Sequence, residues 1–514
     1  MLSSIIMGIK GGVFIAAACW LFARLLRPED AKWIRGAPTF LAIFIFVLGA
    51  FAYNVWLYYV VLLFLIPWKA RSRAEAVALY PIALVSLPAM TVYIAAGGMM
   101  ISPVDKWLVF AIGMVITMFI RRKRGGRVTG YLDIAWLMLF GLEFVQARGM
   151  NLTSAIRTWT TPVIALTIPY FVVSRNLKSV EDIRRVFLAF SFVGFVLGFI
   201  SLIETTTHWL IYQSLYETLH LPRGGVSLYL KIRSGLLRAP TSFDESTSFG
   251  LFLAFTMMFC MAGRDVFKKK RGWLIALGVM FLGTVAANSR NAWVALAIGL
   301  PLYDLYRKRY ASLGAKIGLI AIAYGTLMLA AEFSPYVATL TGQTADTSST
   351  AEYRRLLLQR GLEEARKHPW TGTSLDEVLG NLQDMKQGEG IVDLVNGYLS
   401  YALTAGYGGA AALLMAFLLP CLLMFAKARS LAYDPRLQRY GAAICAIAGF
   451  SIVTTFNTSF GGKSITFYIL TIAIGTAILS IKRPKRPRTG REDAAEAPTS
   501  APPPATREPL ALTS

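Results

Sequence analysis

Residues 349–380 read STAEYRRLLLQRGLEEARKHPWTGTSLDEVLG, and after a polar segment residues 392–409 read VDLVNGYLSYALTAGYGG. The first half carries a helix signature. Ser349 is placed to cap a helix whose third residue, Glu352, closes a capping box, and Pro369 lies just past the far end. A polar helix therefore interrupts an otherwise apolar chain. It carries Arg354, Arg355 and Arg360, and the chain returns to apolar sequence past Asp393 and Asn396. Arginines beside such a loop suit an anionic ligand presented at a bilayer surface, such as a lipid-linked phosphate.

The surrounding chain explains why a polar helix is conspicuous. Of 514 residues, 55% are hydrophobic and 16% charged, and the mean hydropathy is +0.53. That composition excludes an ordinary soluble domain and predicts an all-α polytopic membrane protein. The net charge of +23 does not point to nucleic acid, because the basic residues fall in short runs between apolar segments. Those runs lie at 121–124, 268–271, 307–309 and 482–488, as the positive-inside rule requires of cytoplasmic loops. Cys19, Cys260, Cys421 and Cys445 sit within apolar spans and read as small hydrophobes, and His208, His220 and His368 are too scattered for a metal site. Neither metal nor cofactor is expected. The first apolar run lacks a small-residue cleavage site and reads as a retained span.

Apolar runs long enough to cross a bilayer occur at about 5–23, 37–68, 76–96, 103–120, 131–147, 157–174 and 186–206, and again at about 244–263, 273–289, 291–306, 313–332, 398–426, 438–458 and 463–481. The 37–68 run is too long for one crossing, and Asn54 splits it into two short helices. Roughly 12 to 15 spans follow, with about fifteen as the direct count. Alternating basic connections place the N-terminus outside and the C-terminus in the cytosol. Residues 1–481 then form one membrane domain with long outer loops at about 205–242 and 333–395, and 482–514 form a basic, then Pro/Ala-rich disordered cytoplasmic tail. No solenoid or inverted transporter repeat is visible.

Several residues at the outer level could carry chemistry. Arg238 precedes the span beginning near Asp244, where it either snorkels to the interface or forms half of an anion clamp. Arg290 lies in Asn288-Ser289-Arg290-Asn291, the whole link between two spans. A cation there runs against the charge bias and costs ~2.5–3.5 kcal/mol on insertion scales, so an anion is expected to offset it. Arg360 can pair with Glu364 at i,i+4, whereas Arg354 and Arg355 can equally be a solvated face or ligand contacts. Asp244, Glu245, Glu389 and Asp393 are candidate bases, with solvation or pairing as the plainer reading. The glycines at 406, 408 and 409 permit close helix packing, and Asp393 with Asn396 could hold a sugar hydroxyl.

The order of Leu237-Arg238-Ala239-Pro240-Thr241-Ser242-Phe243, Ala287-Asn288-Ser289-Arg290, His368-Pro369-Trp370-Thr371-Gly372 and Val395-Asn396-Gly397-Tyr398-Leu399 to Gly409 resembles the bacterial O-antigen ligase and polymerase family. The resemblance covers about 230–410. It implies a GT-C-like helical bundle with a large helical periplasmic loop, in the bacterial inner membrane. It also implies an inverting, metal-independent glycosyltransferase acting on undecaprenyl-diphosphate-linked glycan, both donor and acceptor, at the periplasmic face. By motif, Arg238 and Arg290 would hold the diphosphate, with Arg354 or Arg355 contributing. Apart from that carry-over, Asp393 is the candidate base or acceptor-orienting group with Asn396 beside it, and Asp244 and Glu245 are further candidate bases at the same level. Ligases of the family place a histidine where this chain has Val395, which favours the polymerase branch, making exopolysaccharide or O-antigen with a possible chain-length regulator or export complex as partner. Transfer to lipid A core or protein is the alternative. A flippase for lipid-linked sugars is the alternative of another class.

Overall fold

The computed structural model describes residues 2–88, 90–96, 99–121, 129–221, 232–233, 236–334, 337–338, 341, 343, 345–386, 392–458 and 463–481. The expected tail, 482–514, and Glu389 lie outside the described residues. Apolar composition becomes helix almost throughout. In chain order the helices are α1 (Leu2–Leu25), α2 (Pro28–Arg35), α3 (Ala37–Phe51), α4 (Val55–Lys69), α5 (Arg73–Val85), α6 (Lys106–Ile120), α7 (Asp133–Val145), α8 (Leu152–Pro162), α9 (Ile168–Asn176) and α10 (Val180–Thr207). The second half adds α11 (Ser214–Thr218), α12 (Ser246–Ala262), α13 (Lys270–Ala286), α14 (Arg290–Tyr306), α15 (Tyr310–Phe333), α16 (Ala345–Ala365), α17 (Leu375–Asn381), α18 (Gly397–Leu431), α19 (Pro435–Thr454) and α20 (Lys463–Ser480).

This is a helical membrane protein. Among the described residues, seven helices are long and apolar enough to cross a bilayer, and shorter apolar helices stand at Val55–Lys69, Lys106–Ile120, Ser246–Ala262 and Ile465–Ser480. Asn54 does divide the long run: its side chain accepts from the amides of Trp56 at 2.9 Å and Leu57 at 3.2 Å, capping α4. One expected span is absent as such. The run at 76–96 ends as a helix at Val85, and a hairpin follows, with β1 (Thr91–Ala96) antiparallel to β2 (Met99–Asp105) and a register shift at Ile94/Ala95. Hydropathy does not separate a β-rich apolar run from a helical one, and here Pro88 stands just past the end of the helix.

The polar helix also begins earlier than its capping signal. α16 starts at Ala345, so Ser349 lies inside it and the Ser349–Glu352 box does not cap it. Arg360 pairs with Glu363 and Asp384, both at 3.6 Å, rather than with Glu364. Glu364 instead takes Lys367 at 2.5 Å and the Asn381 amide at 2.6 Å, because α17 packs against that side. Hydrogen bonding by Lys367 holds the Glu364 carboxyl below its ordinary range.

The decisive packing is in α18. Its 35 residues would measure about 52 Å if straight, while α19, against which it runs, has 20 residues and spans about 30 Å. The difference is absorbed at Gly406, whose backbone is non-helical at φ 72°, ψ −178°. There the turn 368–373 is spliced into the helix. The Tyr407 amide bonds the Pro369 carbonyl at 2.8 Å, and the Leu403 carbonyl accepts from Thr373 at 2.9 Å, so the loop satisfies both halves of one i,i+4 helical bond. The bend lets α18 begin beside the end of α19, where Gly397 N donates to Thr455 O at 2.9 Å. A satellite core of Leu357, Val378, Leu382, Leu394, Leu399 and Leu403 then seats α16 and α17 on the first turns of α18.

At Gly406 a Cβ would stand 2.6 Å from the Trp370 carbonyl carbon and 2.7 Å from Pro369 O. The backbone region it occupies is open essentially to glycine alone, at ~1–3 kcal/mol for other residues. Gly406→Ala is therefore expected to lower the thermal midpoint in detergent by several degrees and to expose the 366–373 turn to protease. Parent-like melting and cleavage would show that the splice is dispensable.

Candidate functional site

The site is built where the first turns of α12, α14 and α18 meet the last turn of α19. Arg238 follows β4 (Leu236–Leu237), which pairs with β3 (Ile232–Arg233). It is half-buried, and its Nη2 donates to Thr247 Oγ1 in the first turn of α12 at 3.4 Å. The segment behind it is fastened on several sides. Ala239 N donates to Ala286 O at 3.2 Å at the end of α13. Thr241, in the left-handed region at φ 51°, donates its amide to Glu204 Oε2 at 3.0 Å. Lys106 Nζ donates to Ser242 O at 3.3 Å and to Leu87 O at 2.6 Å.

Arg290 is the first residue of α14, after a reversal that needs Asn288 at φ 47°. Its neighbour Ser289 packs on α12: a Cβ at Gly250 would lie 2.7 Å from Ser289 Cβ. Thr247 and Gly250 are one turn apart, so both guanidinium-bearing segments converge on the start of α12. Asp244 and Glu245 precede that helix, half-buried and exposed respectively. Around the reversal, among the described residues, Ser242 Oγ, Asn288 Oδ1, Ser289 Oγ and Asn291 Oδ1 are buried without a hydrogen-bond partner. Buried polar atoms are nearly always satisfied; here two serine hydroxyls can donate and two asparagine carbonyls can only accept, so the cluster beside the two arginines is suited to a polar ligand that offers both acceptors and hydroxyl donors.

A short apolar groove of about 140 Å³ adjoins this cluster, lined by Leu202, Thr206, Leu237, Leu282, Val285 and Asn288 among others. Leu282 is half exposed at its edge. An amphiphile could thus lay its apolar portion against α10 and α13 with its charge at Arg238 and Arg290.

The α18 side contributes differently from what its motif implies. Asn396 is the N-cap: its Oδ1 accepts from Tyr398 N at 3.0 Å and Leu399 N at 3.1 Å, which leaves only its NH2 donors for a ligand. Val395 packs against the satellite core. Asp393 is exposed, and its backbone is held by Tyr353, whose hydroxyl accepts from Asp393 N at 3.2 Å and lies 3.3 Å from Asp393 O. Desolvation raises the Tyr353 phenol above its ordinary range. That bond fixes the rotation of α16. Tyr353, Leu357 and Gly361 form the docked stripe. At about 100° per residue Arg354 flanks it and Arg355 lies opposite, and both are exposed. The structure thus sets Arg238 and Arg290 around one helix start, sets Arg354 beside the docked stripe of α16, and turns Arg355 away.

Two residues went unread in the sequence. Glu204 is fully buried and accepts from Thr241 N and from Ile211 N at 2.9 Å. Lys106 is 3% exposed. Each sits at the end of an apolar run, where ionic residues ordinarily mark the interface, and the available signal was the isolation of each charge within its run.

Residues 275–414 match the family model described as O-Antigen ligase, a segment running from α13 through α14, the loop helices and the bend of α18. No curated protein shows a significant match.

Glu204→Ala would leave buried amides unsatisfied, at about 1–3 kcal/mol each, whereas Glu204→Gln keeps an acceptor. Unfolding monitored by thermal shift in detergent should rank parent, Gln, then Ala, with the Ala variant alone losing activity through a loosened Arg238 segment.

Proposed function

We propose that this chain is a membrane glycosyltransferase that polymerises undecaprenyl-diphosphate-linked oligosaccharide repeats at the periplasmic face, a reading supported by the match of residues 275–414 to the O-Antigen ligase family model. The observation that carries this reading is the cluster of orphaned buried polar atoms at the α13–α14 reversal, flanked by Arg238 and Arg290. The Ser242 and Ser289 hydroxyls and the two arginines could donate to a diphosphate, the Asn288 and Asn291 amide oxygens could accept from a sugar hydroxyl, and the groove over α10 and α13 suits the first units of a prenyl chain.

In the reaction an acceptor hydroxyl attacks the anomeric carbon of the donor sugar opposite the leaving group. The new C–O bond forms as the bond to the diphosphate breaks, its electron pair passes to the diphosphate, and the hydroxyl proton passes to a carboxylate. Arg238 and Arg290 stabilise the charge that accumulates on the leaving group. Arg354 contributes from α16, and Arg355 does not. Asp393 receives the proton, held in place by Tyr353 and by the cap at Asn396, while Asp244 and Glu245 orient the acceptor from the start of α12. Val395, packed into the satellite core, has no titratable group to offer where ligases carry histidine, which favours the polymerase branch; attack opposite the leaving group makes the transfer inverting, and the family resemblance implies a metal-independent course.

Reconstitution with lipid-linked oligosaccharide, read on a gel, tests the assignment. A ladder means polymerase, a single transferred unit means ligase, and donor moved across the bilayer unchanged means transport. Arg290→Ala should lower turnover by about 10²–10³-fold, the usual loss for a donor to developing charge. Arg354→Ala should weaken turnover, and Arg355→Ala should leave the ladder near normal. A full ladder from Arg290→Ala removes that residue from the mechanism.

A further inference from the structure

The bend in α18 opens a cleft that the diphosphate chemistry leaves unused. It measures about 410 Å³, and Phe144, Ala147, Arg148, Trp159, Thr371 and Ala405 line it, from α7, α8, the spliced turn and α18. That volume falls in the ~300–1,000 Å³ range of small-ligand sites, which combine aromatic walls with a few placed polar groups. Its walls are pre-set. The Phe144 and Trp159 rings stack 4.2 Å apart and within 2° of parallel. The Trp159 indole N–H is committed to Phe144 O at 3.1 Å, which fixes the ring. Arg148 Nη1 donates to Thr371 O at 2.6 Å and to Gly372 O at 3.4 Å, so most of its five N–H donors are left for a ligand. Behind the cleft Tyr401 donates to Glu143 at 2.7 Å, and Gln146 donates to Tyr401 at 3.1 Å, locking α7 to α18. Trp370, in the same spliced turn, is 81% exposed.

We propose that this cleft is a saccharide subsite, seating a pyranose of the acceptor glycan with its C–H face on the outer face of Trp159, the ring that Phe144 backs, and its hydroxyls on Arg148. The inference rests on the glycosyl-transfer reading above. A pyranose is the occupant whose surface matches both halves of the cleft, because it has an apolar ring face and a rim of hydroxyls. A lipid chain would match the rings and leave the Arg148 fork against hydrocarbon. A phosphate headgroup would match the fork and leave the rings unused. The position also fits: Ala405 lies nine residues along α18 from Asn396, about 14 Å by helix rise, the reach of a short oligosaccharide whose end lies at the transfer site.

The test uses the full chain in nanodiscs, with the oligosaccharide released by mild acid from the host's lipid-linked pool as probe. Saturation-transfer NMR should show contact from protein to probe in the parent and lose it in Trp159→Ala. In the transfer assay the same variant should raise the acceptor KM by about tenfold while donor KM and kcat stay at parent values. If Trp159→Ala does not elute as the parent does, Trp159→Leu, which keeps more apolar volume and removes the ring face, carries both measurements. Unchanged acceptor KM and unchanged NMR contact overturn the subsite, as does dependence on vesicle lipid composition in place of probe. Because the NMR measurement needs no turnover, probe binding at Trp159 without any glycan transfer would break the transferase reading and spare the subsite. Transfer that is normal in Trp159→Ala would do the reverse.

Discussion

One exchange of backbone hydrogen bonds holds the candidate site together. Within α18 the Leu403 carbonyl and the Tyr407 amide should bond to each other, and instead each bonds to the turn that carries Pro369 and Thr373. An α-helix opened inside a bilayer ordinarily leaves groups that cost several kcal/mol each. Here the loop supplies both partners, so the break is nearly neutral in hydrogen-bond terms and is held by the closeness of two backbones. Gly372 and Gly406 make that approach possible: a Cβ on Gly372 would lie 2.4 Å from the Thr404 carbonyl carbon. From the bend follow the seat for α16, the position of Asn396 over the end of α19, and the cleft beside Arg148.

Ionic residues in this fold are kept by backbone groups as much as by opposite charges. Glu204 is satisfied by amides of the segments it joins, and Lys106 by the carbonyls of Leu87 and Ser242. In a low-dielectric interior such bonds are stronger than in water and their loss is costlier. The chain therefore places Arg238 on a segment with little freedom, so that under the proposed function little reorganisation would be needed to bind an anion. The opposite charge pattern appears far from the loop helices, where Arg184 and Arg439 share Asp265 and Arg184 also pairs with Asp30 at 2.5 Å. That network needs no ligand to balance it.

The legible parts of the sequence were those where one physical signal had no competitor. Asn54 splits its run because a side-chain cap beats continued helix at that point. The reversal at 287–289 is the polar break between two apolar runs, and it sets Arg290 at the first position of α14. The illegible parts had two signals pointing apart. Ser349 with Glu352 has the spacing of a capping box, but the residues before it are also helix-compatible, and the helix runs back to Ala345. Asn396 read as a ligand for a hydroxyl, yet its carbonyl is spent on the cap. The glycines near 406 read as packing residues, and only coordinates show that Gly406 marks a spliced helix, because its partner turn lies more than thirty residues earlier in the chain.

The two halves of the site come from separate parts of the chain, and their relation is fixed by one turn. Asn291, beside Arg290, reaches Thr454 O and Thr458 Oγ1, both at 3.4 Å, while Gly397, beside the cap of α18, donates to Thr455 O at 2.9 Å and Thr458 O at 3.1 Å. The guanidinium side and the loop side are thus bonded to the same end of α19. Thr458 closes the turn onto Thr454 O at 3.0 Å, which orients the carbonyls that both sides read. This turn lies outside the residues that match the family model, 275–414. Arg290 and Asn396, both inside the matched stretch, therefore take their alignment from a turn outside it, and a change in the 454–458 turn would shift one against the other without touching either.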